Sequence, residues 1–303
     1  MRVLTDAEVA AELTPQRAVG WARQALRDHA DGRLVAPPRA AVAVPGGRLT
    51  FTAGGVGGDF YGYRSYLAPG SGGDEQVVVV HEASSGAVRW IAVGCELGPR
   101  RTGAIGAVAV DALARADASV LAIVGTGRQA WAQLEAIATV RPLADVRCHS
   151  RTAASREAFA GRTRSELGMP CRATATAREA VEGADLVVLA TSSPVAVIDP
   201  AWLAPGCFVS TLGPKQQGRA EFGPELVDAV EVAVTDSRDQ LAGYDPTHVL
   251  AGTAQEERIV GLGDVLTGRA DGRTSADQRA LFISVGLAGT EAYLLARLLA
   301  RQV

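Results

Sequence analysis

Lysine is almost absent from this sequence of 303 residues. Lysine and arginine together number 30, and Lys215 is the only lysine among them. A chain in which nearly every basic residue is arginine is typical of a genome with arginine-favouring codons. Retention of one lysine against that bias suggests that position 215 needs an ammonium group, although chance retention explains the same observation.

Cysteine is scarce as well. The four cysteines, at positions 95, 148, 171 and 207, form no C-x-x-C pair and have no histidine cluster near them. This spacing argues against both a zinc site and a disulfide framework. We therefore expect no bound metal, buried apolar cysteines and a reducing compartment.

Long apolar runs and an excess of one charge are missing too. No stretch of about 18 apolar residues occurs, and the first residues lack the apolar core of a signal peptide. The net charge is -3, and 48% of the residues are hydrophobic. We expect a cytoplasmic globular protein, long enough for two domains, with neither a membrane nor a nucleic acid as a partner.

Different patterns occupy the two ends and the middle of the chain. Residues 1–40 predict two short helices, residues 40–93 predict several strands, and residues 97–115 predict a longer helix. The glycine-rich stretch 54–58 is predicted to be a flexible loop at the border of a site. Residues 281–301 have the spacing of a long amphipathic helix.

From Ser119 onwards, apolar strands alternate with helices, which is typical of a parallel sheet with helices on both faces. Strands are predicted at 120–124, 145–149, 171–174, 186–190, 207–211 and 230–235, and helices at 130–140, 156–167 and 177–181. We predict an α/β protein with a doubly wound Rossmann domain at 118–281. An α/β substrate domain would be formed by both chain ends, 1–117 and 282–303.

The turn after the first of these strands has the sequence of a dinucleotide fingerprint. Gly125 to Ala130 reads G-x-G-x-x-A, follows an apolar strand and opens a helix. Gly125 would permit the tight turn, and Gly127 would let the backbone approach a pyrophosphate. The pyrophosphate would lie at the positive end of the helix that begins near Arg128 and Gln129.

The end of the second strand predicts which cofactor is bound. A site for NAD usually has a carboxylate there, whereas this chain has Ser150, Arg151 and Thr152. A guanidinium and two hydroxyl groups suit a 2′-phosphate, so NADPH is favoured and NADH remains possible. The alternative is that Arg151 is only a solvated surface residue.

Eight short motifs, taken in order, resemble the ornithine cyclodeaminase/mu-crystallin family almost from end to end. They are Pro37 to Arg39, Gly62 to Arg64, Leu97 to Thr102, Gly125 to Ala130, Ala190 to Pro194, Gly213 to Glu221, Thr235 to Ser237, and Ser284 to Ala288. The resemblance implies an enzyme that acts on small amino or imino acids with a nicotinamide cofactor. It also implies a homodimer that pairs through the non-Rossmann domain.

The resemblance implies roles for individual residues. Arg39 and Arg101 would hold the substrate carboxylate, which suits the planar fork of a guanidinium. The alternative for Arg39 is a surface arginine after a proline turn. Further contacts to the cofactor would come from Thr102, Thr191, Ser192, Gly213 and Ser284.

Two positions depart from the family's pattern. Arg64 stands where many members have lysine, and it would stabilise negative charge. Lys215 follows Gly213-Pro214 where cyclodeaminases have an acidic residue. Its ammonium would protonate the substrate nitrogen or bind a second carboxylate, unless Lys215 is a solvated loop residue.

We therefore predict NADPH-dependent reduction of a small imine that carries a carboxylate, or the reverse amine oxidation. A redox-neutral cyclodeaminase with bound NAD is the first alternative, and Lys215 and Arg151 argue against it. The second alternative is a non-catalytic binder of NADPH and a small ligand, as the mu-crystallins suggest.

Overall fold

Two large β-sheets organise the protein. The structure is a computed structural model, and it describes residues 1–68 and 75–299, with side chains as far as residue 298. Within these residues one sheet has seven strands, the other has eight, and a short hairpin makes a third pairing.

The first sheet is built from the N-terminal part of the chain. Its strands are β1 (Arg2–Leu4), β2 (Leu34–Val35), β3 (Ala40–Val44), β4 (Gly47–Val56), β5 (Phe60–Ala68), β6 (Gln76–Glu82) and β7 (Val88–Gly94). The strand order is β1-β7-β6-β5-β4-β2, with β3 paired to β4. Three helices belong to this part, namely α1 (Asp6–Glu12), α2 (Pro15–Ala30) and α3 (Leu97–Leu113).

The second sheet is the doubly wound sheet predicted from the alternating pattern. Its first five strands are β8 (Val120–Val124), β9 (Asp145–His149), β10 (Cys171–Ala173), β11 (Leu186–Leu189) and β12 (Phe208–Thr211). A hairpin of β13 (Lys215–Gln216) and β14 (Arg219–Ala220) follows, and then β15 (Val232–Thr235), β16 (Ile259–Gly261) and β17 (Ala280–Ile283). All eight strands run parallel in the order β10-β9-β8-β11-β12-β17-β15-β16.

Helices connect the strands of the second sheet. The connecting helices are α4 (Arg128–Ile137), α5 (Ala153–Leu167), α6 (Ala177–Val181), α7 (Pro224–Asp228), α8 (Arg238–Ala242), α9 (Ala254–Glu257) and α10 (Leu262–Leu266), with one 3₁₀ turn at Pro200–Trp202. A last helix, α11 (Thr290–Leu299), follows β17. The predicted strands and helices of 120–235 are confirmed to within a few residues. Their apolar runs succeed as predictors because parallel strands are buried on both faces.

The predicted helix over 281–301 is wrong in its first half. Residues 280–283 form β17, whose side chains are fully buried between β12 and β15, and the helix begins only at Thr290. A short apolar run has the same composition in a buried strand as in a buried helix, so periodicity could not separate them. Ser284 therefore follows a strand and does not open a helix. Strand β17 also crosses the domain boundary predicted between residues 281 and 282.

The glycine-rich stretch 54–58 is not the predicted flexible loop throughout. Gly54 and Gly55 lie inside β4 and pair with β5. An ideal Cβ on Gly54 would lie 2.7 Å from the Cα of Gly289. Glycine is needed there because two backbones approach closely, and the strand is thereby joined to the segment before α11.

Helix α3 connects the two sheets through packing. It contacts α2 on the side of the first sheet and α4 on the side of the second, and most of its residues are buried. Helix α11 packs against β5 and α2. The substrate side and the Rossmann side therefore share one apolar core. Among the described helices, none is long and apolar enough to cross a membrane.

Candidate active site

A cavity of about 820 Å³ lies where the two sheets face each other. One wall is formed by the carboxyl ends of β8, β9 and β11, and the other by β5 and the first turn of α3. The strand order reverses between β8 and β11, which is where doubly wound sheets bind their ligands.

The glycine turn after β8 has the geometry that a dinucleotide requires. Gly125 has φ +104°, and an ideal Cβ there would lie 2.2 Å from the carbonyl oxygen of Ala190. An ideal Cβ on Gly127 would meet nothing within 4 Å, so the backbone at the start of α4 is open to a phosphate. Arg128 and Gln129 also line the cavity, and the Gln129 Oε1 is buried with no hydrogen-bond partner among the described residues. These features fit a nicotinamide dinucleotide.

The difference between these two glycines can be measured. Gly125→Ala should lower the free energy of unfolding by about 1–3 kcal/mol, because alanine is strained at this φ and its methyl group would overlap the chain after β11. Gly127→Ala is the matched control: it should unfold like the wild type yet bind dinucleotide more weakly. Thermal unfolding and a fluorescence titration with NADPH measure the two effects. Wild-type stability of Gly125→Ala would contradict the argument.

Some of the other predicted cofactor residues line the cavity, and others do not. Ser150, Arg151, Thr102, Thr191 and Ser192 line the cavity. The structure places Thr152, Gly213 and Ser284 outside the cavity wall. Thr152 accepts a hydrogen bond from the Ser155 backbone as the N-cap of α5, and the Ser284 N–H bonds to the carbonyl of Thr211.

Glu221, which sequence reasoning did not single out, joins two loops of the cofactor side. The carboxylate is fully buried and accepts hydrogen bonds from the backbone and hydroxyl of Thr191, at 3.0 and 2.8 Å. It also accepts from the backbone N–H groups of Leu212 and Gly213. The loops after β11 and β12 are thus held by one side chain.

Two of the three arginines predicted on the substrate side, Arg64 and Arg101, share a buried carboxylate. Glu291, in the first turn of α11, accepts from Arg101 Nε at 2.9 Å and Nη2 at 2.5 Å, and from Arg64 Nη1 at 2.7 Å. Burial acts to raise the pKa of Glu291, but the neighbouring Arg101 and Arg64 outweigh it, and the pKa is lowered. Two cations against one anion leave a net positive charge for a substrate anion.

Arg64 and Arg101 differ in how they face the cavity. Arg64 lines it, lies over the ring of Tyr66 at 4.0 Å, and has an unpaired buried Nε. Arg101 is 7% exposed and does not line the wall. The only sequence signal for Glu291 was an acid inside an otherwise apolar terminal segment.

Arg39 reaches the same region by another route. It donates to Gln240 Oε1 from its backbone and from Nε, and to the carbonyl oxygen of Val285. An ideal Cβ on the next residue, Gly286, would lie 2.8 Å from Arg101 Nη1. Arg39 and Arg101 therefore both approach the loop 285–286, but neither lines the cavity, so their shared hold on a substrate carboxylate stays a prediction.

That loop is held by a buried acid. Asp236, directly after β15, accepts from the N–H groups of Val285 and Gly286, both at 2.8 Å. Burial raises the pKa of Asp236, although Arg101 and Lys215 lie close enough to oppose the shift.

Lys215 is buried, at 2% exposed, so the alternative of a solvated loop residue is wrong. Its Nζ donates to the carbonyl oxygens of Gly213 at 2.7 Å and Leu212 at 3.4 Å. Nζ lies 5.9 Å from the ring of Tyr244, whose ring Arg39 also approaches at 5.1 Å. Lys215 does not line the cavity wall. The structure thus groups it with Arg39 at the ring of Tyr244.

Among the described residues, no group of three His, Cys, Asp or Glu side chains could hold a metal ion. The doubly wound sheet, the glycine turn and the cavity at the strand reversal define a protein that binds a nicotinamide dinucleotide. The family model for the ornithine cyclodeaminase/mu-crystallin family matches residues 1–299. The chain belongs to that family, and the resemblance predicted from the motifs is confirmed.

Individual relatives agree with this membership. A protein of Rhizobium meliloti described as a dehydrogenase is 31% identical over 293 residues, which cover 92% of this chain and 88% of that protein. A Δ1-pyrroline-2-carboxylate reductase of Bacillus cereus is 30% identical over 216 residues, covering 70% and 66%. The ketimine reductase mu-crystallin of Mus musculus is 26% identical over 211 residues, covering 70% and 64%.

Solved structures confirm the fold. The Δ1-pyrroline-2-carboxylate reductase of Thermococcus litoralis, in complex with NADH and L-proline, has a TM-score of 0.90 at 22% identity, covering 100% of this chain and 98% of that one. The iminosuccinate reductase of Paracoccus denitrificans, in complex with NAD⁺, has a TM-score of 0.87 at 22% identity, covering 100% and 97%.

Proposed function

We propose that this protein is a reductase that uses NADPH to reduce a small imine bearing a carboxylate, or catalyses the reverse amine oxidation. The observation that carries the proposal is the position of Arg64. Its guanidinium, already ion-paired to Glu291, lines the same cavity as the glycine turn of the Rossmann sheet. An anionic substrate bound at Arg64 would thus face a dinucleotide bound at Gly125 and Gly127. The reductase names of several relatives support this reading.

Each group would have a limited task. When bound, NADPH supplies a hydride to the imine carbon. The family resemblance implies that Arg39 and Arg101 hold the substrate carboxylate. We propose instead that Arg64 binds it, because Arg64 lines the cavity whereas Arg39 and Arg101 lie behind the wall. Binding at this wall would orient the imine. Lys215, which lies behind the cavity wall, would protonate the imine nitrogen through a water.

The direct test is a survey of turnover. Reduction of Δ1-pyrroline-2-carboxylate, iminosuccinate, and the imine of pyruvate and ammonia would be followed through the loss of NADPH absorbance. We expect at least one of these to be reduced. Conversion of ornithine to proline with release of ammonia and no net change of cofactor would instead establish a cyclodeaminase.

NADPH preference is proposed from Arg151, which is exposed at the end of β9 and lines the cavity. Arg151→Ala should weaken NADPH binding by about 1.5–3 kcal/mol and leave NADH nearly unchanged, because only NADPH has a 2′-phosphate. Arg172→Ala, an exposed arginine of the neighbouring strand β10, is the matched control. Fluorescence titration with both cofactors measures the difference, and equal wild-type affinities would refute the preference.

We also propose the predicted division of labour and assembly. Residues 118–281 would bind the dinucleotide, and the two chain ends, 1–117 and 282–303, would bind substrate and form a homodimer. Five of the exposed large hydrophobic side chains lie on strands of the first sheet, namely Val3, Val35, Val42, Tyr61 and Tyr63. We propose that this sheet contributes the surface through which two copies of the chain pair. A monomer mass in light scattering would contradict the homodimer.

We propose a cytoplasmic location as well. The four cysteines are free, which supports it.

A further inference from the structure

We propose that Gln76 selects the substrate, and that the substrate carries a hydrogen-bond donor, such as a hydroxyl group, on its side chain or ring. The inference rests on the proposed function, since it concerns the substrate of the same cavity. It assigns a role to a residue that no sequence motif singled out.

The side chain of Gln76 is buried and unpaired. Gln76 is the first residue of β6, lines the cavity and is 5% exposed. Its Oε1 has no hydrogen-bond partner among the described residues. Buried amide oxygens are nearly always paired, because an acceptor removed from water without a partner costs free energy. Gln76 lines the cavity, so this oxygen would accept from a donor on a bound ligand once the amide turns towards the cavity.

The backbone register places Gln76 beside the proposed carboxylate site. Gln76 pairs with Tyr66 across β5 and β6, and Arg64 pairs with Val78. Residues opposite each other, and residues two apart on one strand, point to the same face of a sheet. Gln76, Tyr66 and Arg64 thus line the cavity from one face, with the Arg64 guanidinium over the Tyr66 ring.

Gly98, in the first turn of α3, packs against the side-chain amide of Gln76. An ideal Cβ on Gly98 would lie 2.7 Å from Gln76 Nε2 and 2.9 Å from Oε1. The Gln76 amide therefore packs against Gly98, and a side chain on any other residue at position 98 would overlap it. Its position is set by packing, as a specificity residue requires.

Arg64 and Gln76 together constrain the shape and polarity of the substrate. Tyr66 lies opposite Gln76 and two residues from Arg64, so a substrate that is bound at Arg64 and points along this face would bring a side chain of a few atoms to Gln76. A purely aliphatic group there would leave Oε1 unpaired, whereas a hydroxyl would satisfy it. Sites that hydrogen-bond a substrate hydroxyl discriminate strongly against the analogue that lacks it.

Matched amine ligands test the inference without turnover. Serine and 2-aminobutyrate differ by hydroxyl against methyl, and the two 4-hydroxyproline epimers differ from proline by one hydroxyl. Their affinities for the complex with NADP⁺ would be measured by calorimetry. We expect the hydroxylated member of at least one pair to bind about tenfold more tightly, the usual scale of one hydrogen bond to a buried group. A difference below threefold in all three comparisons, serine with 2-aminobutyrate and each epimer with proline, would overturn the proposal.

Gln76→Met keeps the volume and removes the amide, so it should abolish the preference. Gln255→Met, at a half-buried position outside the cavity wall, should preserve it. A preference that persists in Gln76→Met would also overturn the proposal. The wild-type measurement stands even if Gln76→Met fails to fold. The outcome is separable from the function: a hydroxyl preference without reduction of any imine refutes the reductase, and reduction without the preference refutes the role of Gln76.

Discussion

Glu291→Leu is expected to lower the free energy of unfolding by about 3–5 kcal/mol, the usual cost of removing one partner from a buried ion pair. Glu291 is 1% exposed and is the shared carboxylate of Arg64 and Arg101. Leucine fills a similar volume, so the loss would come from charge and not from a cavity. The two guanidinium groups would face each other without a counter-ion.

Denaturant unfolding at neutral pH measures this loss, with Glu291→Gln as the control that keeps an acceptor oxygen. Because the folded-state pKa of Glu291 is lowered, its ionisation stabilises the protein fully above the unfolded-state pKa. That stabilisation is lost as the pH falls through the lowered value. The stability of Glu291→Gln should therefore depend less on pH in the acid range than that of the wild type. A wild-type stability for Glu291→Leu would show that the two arginines need no counter-ion.

Lys215→Met is expected to reduce turnover about 10²-fold, the scale for loss of a positioned proton donor. The lysine is buried, and its Nζ and the Arg39 guanidinium both lie within 6 Å of the ring of Tyr244, at 5.9 and 5.1 Å. NADPH affinity should change little, because Lys215 does not line the wall at the glycine turn.

Single-turnover kinetics and a separate cofactor titration distinguish the two effects. Lys215→Asp, which places a carboxylate after Gly213-Pro214, should not restore reduction. Since Lys215 is the only lysine, amine-selective labelling apart from the N-terminus reports on this residue alone, and its burial predicts slow labelling. Full turnover in Lys215→Met would show that the ammonium only braces the carbonyl groups of Leu212 and Gly213.

The elements that the sequence predicted well are those with a local cause. Val120 to Val124 is a buried strand because every residue is apolar, and Gly125 is glycine because the turn needs φ +104°. The helix predicted at residues 281–283 was wrong, since three apolar residues fit a strand and a helix equally well. The loop predicted at Gly54 was wrong for a different reason. Glycine is needed there because the backbone of Gly289, 235 positions further along the chain, approaches closely.

The sequence by itself determined the alternating Rossmann pattern, the glycine turn after β8 and the family, because each depends on neighbouring residues and their order. It also brought Arg39, Arg64, Arg101 and Lys215 forward as chemically important. Only the tertiary structure decided what these cations contact. Arg64 and Arg101 are paired to Glu291, which is 227 and 190 residues away, and Lys215 is buried against the carbonyl oxygen of Gly213. Contacts of that range arise from the packing of β5, α3 and α11 around one core, and no local periodicity encodes which buried charges will meet there.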